Sequence, residues 1–132
     1  MLKSNIFVIG FNSRLSRCLA AEFSITHNII FIEKEVYGTW LKKPKKISEY
    51  FVNNIKNNDI LILTKAILNK NLNKAFIYDI NYFFPKNIIN ALDKIKKNLK
   101  IFTFGSIHEH SKIINNYLES KRKLTEFITN FN

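Results

Sequence analysis

Four short apolar runs limit what this chain can fold into. They are Asn5-Ile6-Phe7-Val8-Ile9, Asn28 to Ile32, Asp59 to Thr64 and Lys100 to Gly105. Each is continuously apolar rather than alternating, so each strand needs cover on both faces, as in a parallel sheet with helices on either side. The intervening stretches carry helical spacing. Leu15, Cys18, Leu19 and Glu22 mark a first helix, with Cys18 expected in the core. Ile47 to Asn57 places Ile47, Tyr50, Phe51 and Ile55 on one face. A longer helical stretch covers about Lys74 to Lys97, and Pro85 should kink or break it. Ile114 to Phe131 reads as the last helix. Glu35 to Lys46, with Trp40 and the cluster Lys42-Lys43-Pro44-Lys45-Lys46, reads mostly as loop, with room for a short edge strand. The alternation predicts an α/β fold, a doubly wound parallel sheet in a single domain over residues 1–132.

Composition excludes several classes of function. At 132 residues and 46% apolar, the chain can bury a proper core. It has no run of the roughly 18 apolar residues that a membrane span needs. Met1 to Ser4 lead straight into the first strand, too short a leader for a signal peptide. The one cysteine, Cys18, suits a reducing cytoplasm, the expected location. His108 and His110 flank Glu109, but no Cys/His group has zinc spacing, so no metal site is expected. The net charge of +11 raises the question of nucleic acid. Only three of the 21 basic residues are arginine, and the lysines are spread through a chain equally heavy in Asn and Ile, which argues against it.

In doubly wound sheets, ligands bind beyond the carboxyl ends of the strands. The Gly10 turn, Glu33, Thr64 and Gly105-Ser106 fall on that edge. Tyr117 and Lys121, four residues apart, share one face of the last helix. A phenol with a pKa of about 10 is a poor base at neutral pH, and a nearby lysine cation stabilises its phenolate. Such a pair can exchange a proton with a carbonyl or alcohol. Read alone, the spacing fits equally a half-buried Tyr beside a solvated Lys on a lysine-rich helix.

In family order, these residues resemble the extended short-chain dehydrogenase/reductase family, the NAD-dependent nucleotide-sugar epimerase/dehydratase group. Ile101 to Ser106 looks like the strand ending in the family's active-site Ser. Tyr117 to Lys121 resembles its Tyr-x-x-x-Lys helix. Asn81, ahead of Asn87-Ile88-Ile89-Asn90-Ala91, is similar to the Asn leading a family helix. Asp59 to Ala66 resembles the strand whose end touches the cofactor, and Glu33 stands where the family places an acid after the second strand. The likeness departs at the family's Gly-x-x-Gly-x-x-Gly turn, which here reads Gly10-Phe11-Asn12-Ser13-Arg14-Leu15-Ser16 and keeps only the first glycine.

The resemblance implies a Rossmann-like sheet, incomplete on its C-terminal side, that binds NAD or NADP and lacks a substrate domain. It implies that Ser106 bonds the substrate oxygen, that Tyr117 is the acid/base, that Lys121 holds the nicotinamide ribose and lowers the Tyr pKa, and that Asn81 supports Lys121. Gly10, Asn12, Ser13, Arg14, Leu15, Thr64 and Lys65 would line the cofactor. Glu33 would bind the adenosine ribose, leaning toward NAD. The implied substrate is a nucleotide sugar, with a second copy or a partner chain over the open side of the sheet. The competing expectations are a Rossmann relic kept as a binding or interaction module and, against the charge chemistry, a basic nucleic-acid-associated protein.

Overall fold

The four apolar runs pair as four parallel strands: β1 (Asn5–Ile9), β2 (Asn28–Ile32), β3 (Ile60–Leu63) and β4 (Lys100–Thr103), in the order β2-β1-β3-β4. The structure, a computed structural model, describes residues 3–10, 13–66, 69 and 71–131. Among them the helices are α1 (Arg14–Phe23), α2 (Lys34–Tyr37), α3 (Lys45–Asn54), α4 (Lys74–Tyr78), α5 (Phe84–Asp93) and α6 (Asn116–Thr129). The predicted parallel α/β architecture is therefore the observed one.

Strand register explains the two faces. Phe7 stands beside Ile30 and Leu61, and Leu61 beside Ile101, on one face. That face carries the main core, closed by Ile47 and Phe51 of α3 and by Phe84, Ile88 and Leu92 of α5. On the other face Val8 lies between Phe31 and Ile62, and Ile62 lies beside Phe102. Cover there is thin, because α1 contributes only the half-buried Leu19. Val8 is 1% exposed at the sheet centre, while Phe102 on edge strand β4 is 49% exposed.

Three expectations change. Cys18 is exposed, not in the core. The turn pins Ser16 inward as the one fully buried residue of α1, and a residue two positions on points to the opposite side of a helix. The stretch from Glu35 to Lys46 holds no strand. Lys34–Tyr37 form one helical turn, and Trp40 follows in a tight turn at 1% exposure. Its ring packs 5.7 Å from Tyr50 and from Phe51 and stacks on Phe84 at 6.3 Å.

The third change concerns the long helix. Pro85 neither breaks it nor leaves it regular. The proline ring presses on the carbonyl four residues back, that of Asn81. A widened π turn over Asp79–Phe83 takes up the misfit, and the Phe84 N–H reaches back to the Asp79 carbonyl. Asn81 lies in this turn and is buried.

Emptying the Trp40 site removes the largest side chain of the core. Trp40→Ala should lower the unfolding free energy by about 3–5 kcal/mol. Urea denaturation measures it, and a loss below about 1 kcal/mol would mean that Trp40 is peripheral.

Candidate functional site

The C-terminal edge of the sheet is built first by the turn after β1. Gly10 has φ +95°, a conformation that L side chains rarely adopt. A Cβ there would stand 2.6 Å from Thr64 Oγ1 and 2.9 Å from the Lys65 backbone nitrogen. Only glycine fits both requirements. The two missing glycines are replaced by serines that brace the turn. Ser16 Oγ donates to the Gly10 carbonyl at 2.8 Å. Ser13 Oγ accepts from the Ser16 N–H at 3.1 Å, capping α1, and lies 2.9 Å from Ser16 Oγ. Thr64 Oγ1 donates to the Ile9 carbonyl at 2.8 Å. The Thr64 hydroxyl thus ties β3 to β1 rather than pointing outward. Arg14 and Leu15, the first residues of α1, are exposed beside this turn. Asn12 lies outside the described residues.

Beyond β2, Glu33 is exposed at the start of α2; its carbonyl accepts from the Val36 and Tyr37 N–H groups, and its side chain makes no cap bond. Next to it a cavity of about 250 Å³ is lined by Lys34, Tyr37, Lys65, Phe76, Ile80 and Phe84 among others. Lys65 Nζ stands 5.3 Å from the Tyr37 ring centre. Burial, and then the neighbouring Lys34 charge, pull the Lys65 pKa below the usual lysine value.

The second half of the edge is set by α6. Lys121 is 6% exposed, and its Nζ donates to the Phe104 carbonyl at 2.9 Å, just past β4. Burial lowers its pKa, and the Glu109 charge opposes that shift. Asn81 is 1% exposed and donates through Nδ2 to Ser120 Oγ at 3.2 Å. Ser120 Oγ in turn donates to the Tyr117 carbonyl at 2.7 Å. Asn81 therefore holds the turn of α6 that carries both Tyr117 and Lys121. The contact runs through Ser120, one residue before Lys121, and not to Lys121 itself.

Ser106 begins the single 3₁₀ turn Ile107–His110 and caps it. Its Oγ accepts from the His108 N–H at 3.2 Å, and its own N–H donates to Glu109 Oε2 at 2.6 Å. The structure thus brings Gly10, Ser13 and Thr64 into one cluster, and sets Asn81 of the π turn against the α6 turn that carries Tyr117 and Lys121. Ser106 lies in the adjoining loop.

Sequence reasoning missed Arg122 and Glu109. The Arg122 guanidinium donates to the carbonyls of His108, Glu109, Ser111 and Ile113 and to the Glu119 carboxylate. It clamps the Ser106 loop onto α6. The available signal was its rarity, an arginine where the chain otherwise uses lysine. Only a planar fork of five donors serves several carbonyls at once. Among the described residues no group of three metal-ligating side chains occurs, and no helix is long and apolar enough to cross a membrane.

The fold is shared with solved reductases, epimerases and dehydrogenases. The chain is similar to dTDP-4-dehydrorhamnose reductase from Bacillus anthracis, solved with NADP, with a TM-score of 0.75 and 17% identity over 98% of this chain and 50% of that one. It is similar to ADP-L-glycero-D-manno-heptose-6-epimerase from Helicobacter pylori, with a TM-score of 0.73 and 16% identity over 96% of this chain and 51% of that one. A short chain dehydrogenase family protein from Francisella tularensis aligns with a TM-score of 0.72 and 18% identity, over 95% of this chain and 61% of that one. The chain thus spans about half the length of the reductase and of the epimerase. No family model and no curated protein matches it in sequence.

The lowered Lys121 pKa has a consequence with a definite sign. Between its folded value and the unfolded value of about 10.4, the unfolded chain binds more protons at this site than the folded one. Raising the pH through that window therefore favours folding. Denaturation of wild type and Lys121→Met at pH 7 and pH 10 should show the difference moving in favour of wild type at the higher pH. A difference independent of pH would mean that Lys121 is not buried as described.

Proposed function

We propose that this chain belongs to the short-chain dehydrogenase/reductase family and works in the NAD(P)-dependent interconversion of a carbonyl and an alcohol on a nucleotide sugar, with Tyr117 as acid/base. The observation that carries this reading is the buried Lys121 ammonium, fixed by the Phe104 carbonyl on the helix face shared with Tyr117.

The edge suits a dinucleotide by its donor chemistry. The α1 N-terminus beside the Gly10 turn favours an anion, and Arg14 adds charge. Gly10, Ser13, Arg14 and Leu15 would hold the pyrophosphate, and Thr64 and Lys65 would line its other side. Glu33 would take the adenosine ribose, which is the reason for expecting NAD. Lys34 and Lys65 face the adjoining cavity with two positive charges, which supports the extra phosphate of NADP. A bound nicotinamide dinucleotide would supply or accept the hydride. The chain's own residues do the rest. Tyr117 gives a proton to the substrate oxygen during reduction and takes it back in the reverse direction. Lys121 stabilises the phenolate left behind. Ser106 would bond the same oxygen once its hydroxyl turns from the His108 N–H. Asn81 keeps the helix turn in place through Ser120.

The competing reading is a dinucleotide-binding module without turnover. It is favoured by the Ser106 cap and by serines in place of two glycines. Cover of the open sheet side, by a second copy or a partner chain, is supported by the half-exposed Phe102 on edge strand β4.

Tyr117→Phe separates the readings. With NADPH and a panel of nucleotide-linked keto sugars, the substitution should cut turnover by about 100-fold or more and leave cofactor affinity nearly unchanged. Full activity in the variant would overturn Tyr117 as the acid/base. Absence of turnover in wild type across the panel would favour the binding module.

A further inference from the structure

We propose that Glu109 is a positioning residue that locks the Ser106 turn onto α6 and provides the counter-charge for Lys121. Its catalytic value rests on the reading of Tyr117 and Lys121 given above.

The geometry joins three elements at one carboxylate. Glu109 Oε2 accepts the Ser106 N–H at 2.6 Å, and Oε1 accepts the Thr125 hydroxyl of α6 at 2.5 Å. These are short, charge-assisted bonds of the stronger class. The Glu109 main chain is held as well, since its carbonyl accepts from Arg122 Nε at 2.7 Å. Gly105 makes room for the carboxylate, because a Cβ at that position would overlap Oε2. Gly105 is also the residue after Phe104, whose carbonyl receives the Lys121 ammonium. The carboxylate and the ammonium thus grip adjacent links of one loop from opposite partners. Glu109 holds Ser106 from the loop side and α6 through Thr125, while Lys121 holds Phe104 from α6.

The electrostatics agree with the geometry. Glu109 raises the Lys121 pKa against the larger effect of burial. The elements packed here carry other titratable groups: Glu119, Arg122 and Lys123 on α6, His108 and His110 on the turn, and Tyr78, Asp79 and Tyr82 on α4 and the π turn. Arg122 and Glu119 neutralise one another in an ion pair at 2.6 Å. Of the groups packed here, Glu109 is the one whose charge acts on Lys121. With it in place, the lysine stays charged beside the phenol that it is meant to activate.

The test is NMR of the cofactor-free, uniformly ¹⁵N-labelled protein. It follows the Lys121 Nζ titration and the Ser106 amide resonance in wild type, Glu109→Gln and Gly105→Ala. Glu109→Gln keeps the shape and removes the charge. It should lower the Lys121 midpoint and move the Ser106 amide proton upfield as the bond weakens. Gly105→Ala should move the Ser106 amide the same way by displacing the carboxylate. A purely structural Glu109 would leave the Lys121 midpoint in place, so an unchanged midpoint and Ser106 amide in Glu109→Gln would overturn the proposal. Should either variant fail to fold, wild type decides. The Ser106 amide must exchange slowly with solvent, as the bond to Glu109 Oε2 requires, and exchange at the rate of a free amide would overturn the proposal. No reading needs cofactor or turnover, so these outcomes are separate from those that test the enzymatic function.

Discussion

The bond from the Lys121 ammonium to the Phe104 carbonyl is the join on which the C-terminal edge of this sheet depends. β4 is a four-residue edge strand, paired on one side only. Such a strand has little of its own to fix the loop that follows it. A buried cation changes that. Withdrawing an ammonium from water is costly, and the cost is tolerated only where its donors find partners. The Phe104 carbonyl is such a partner, and α6 must sit where the lysine can reach it. The Asn81–Ser120–Tyr117 relay holds the same helix turn from the far side. Arg122 fastens the loop between them. The position of Tyr117 is therefore set by polar contacts at three points.

The turn after β1 solves a different problem. A Gly-rich turn keeps backbone and helix close by having nothing between them. Here Ser13 and Ser16 occupy that space, and their hydroxyls satisfy groups that the turn would otherwise leave to water or ligand. The glycine that survives is the one whose φ and neighbours allow no substitute. The turn keeps its shape by a hydroxyl network in place of close backbone approach. This leaves the first residues of α1 exposed while changing what borders them.

Much of this architecture was legible in the sequence. The continuous runs NIFVI, NIIFI, DILILT and KIFTF announced buried parallel strands, because such strands need cover on both faces. Tyr117 and Lys121 were legible as neighbours on one helix face. What escaped was decided by packing between distant segments. Cys18 was assigned to the core from an apolar count, but the turn chose Ser16 as the inward residue and so turned Cys18 out. Trp40 sat among lysines and read as loop, although its ring meets Phe51 and Phe84 from other helices. Pro85 was seen as a disruption, yet a widened turn absorbs it and carries Asn81 inward. Arg122 acts across the loop from β4 to α6, and no local spacing marks a contact of that kind, whereas Glu109 closes a Ser-x-x-Glu capping box with Ser106 that the spacing does show.

On the proposed reading, this edge holds a nicotinamide dinucleotide. Isothermal titration of the purified chain with NADP(H) and with NAD(H) decides it. Saturable binding is expected with a dissociation constant below about 1 mM, tighter for the phosphorylated cofactor. No heat of binding with either cofactor at millimolar concentration would contradict it.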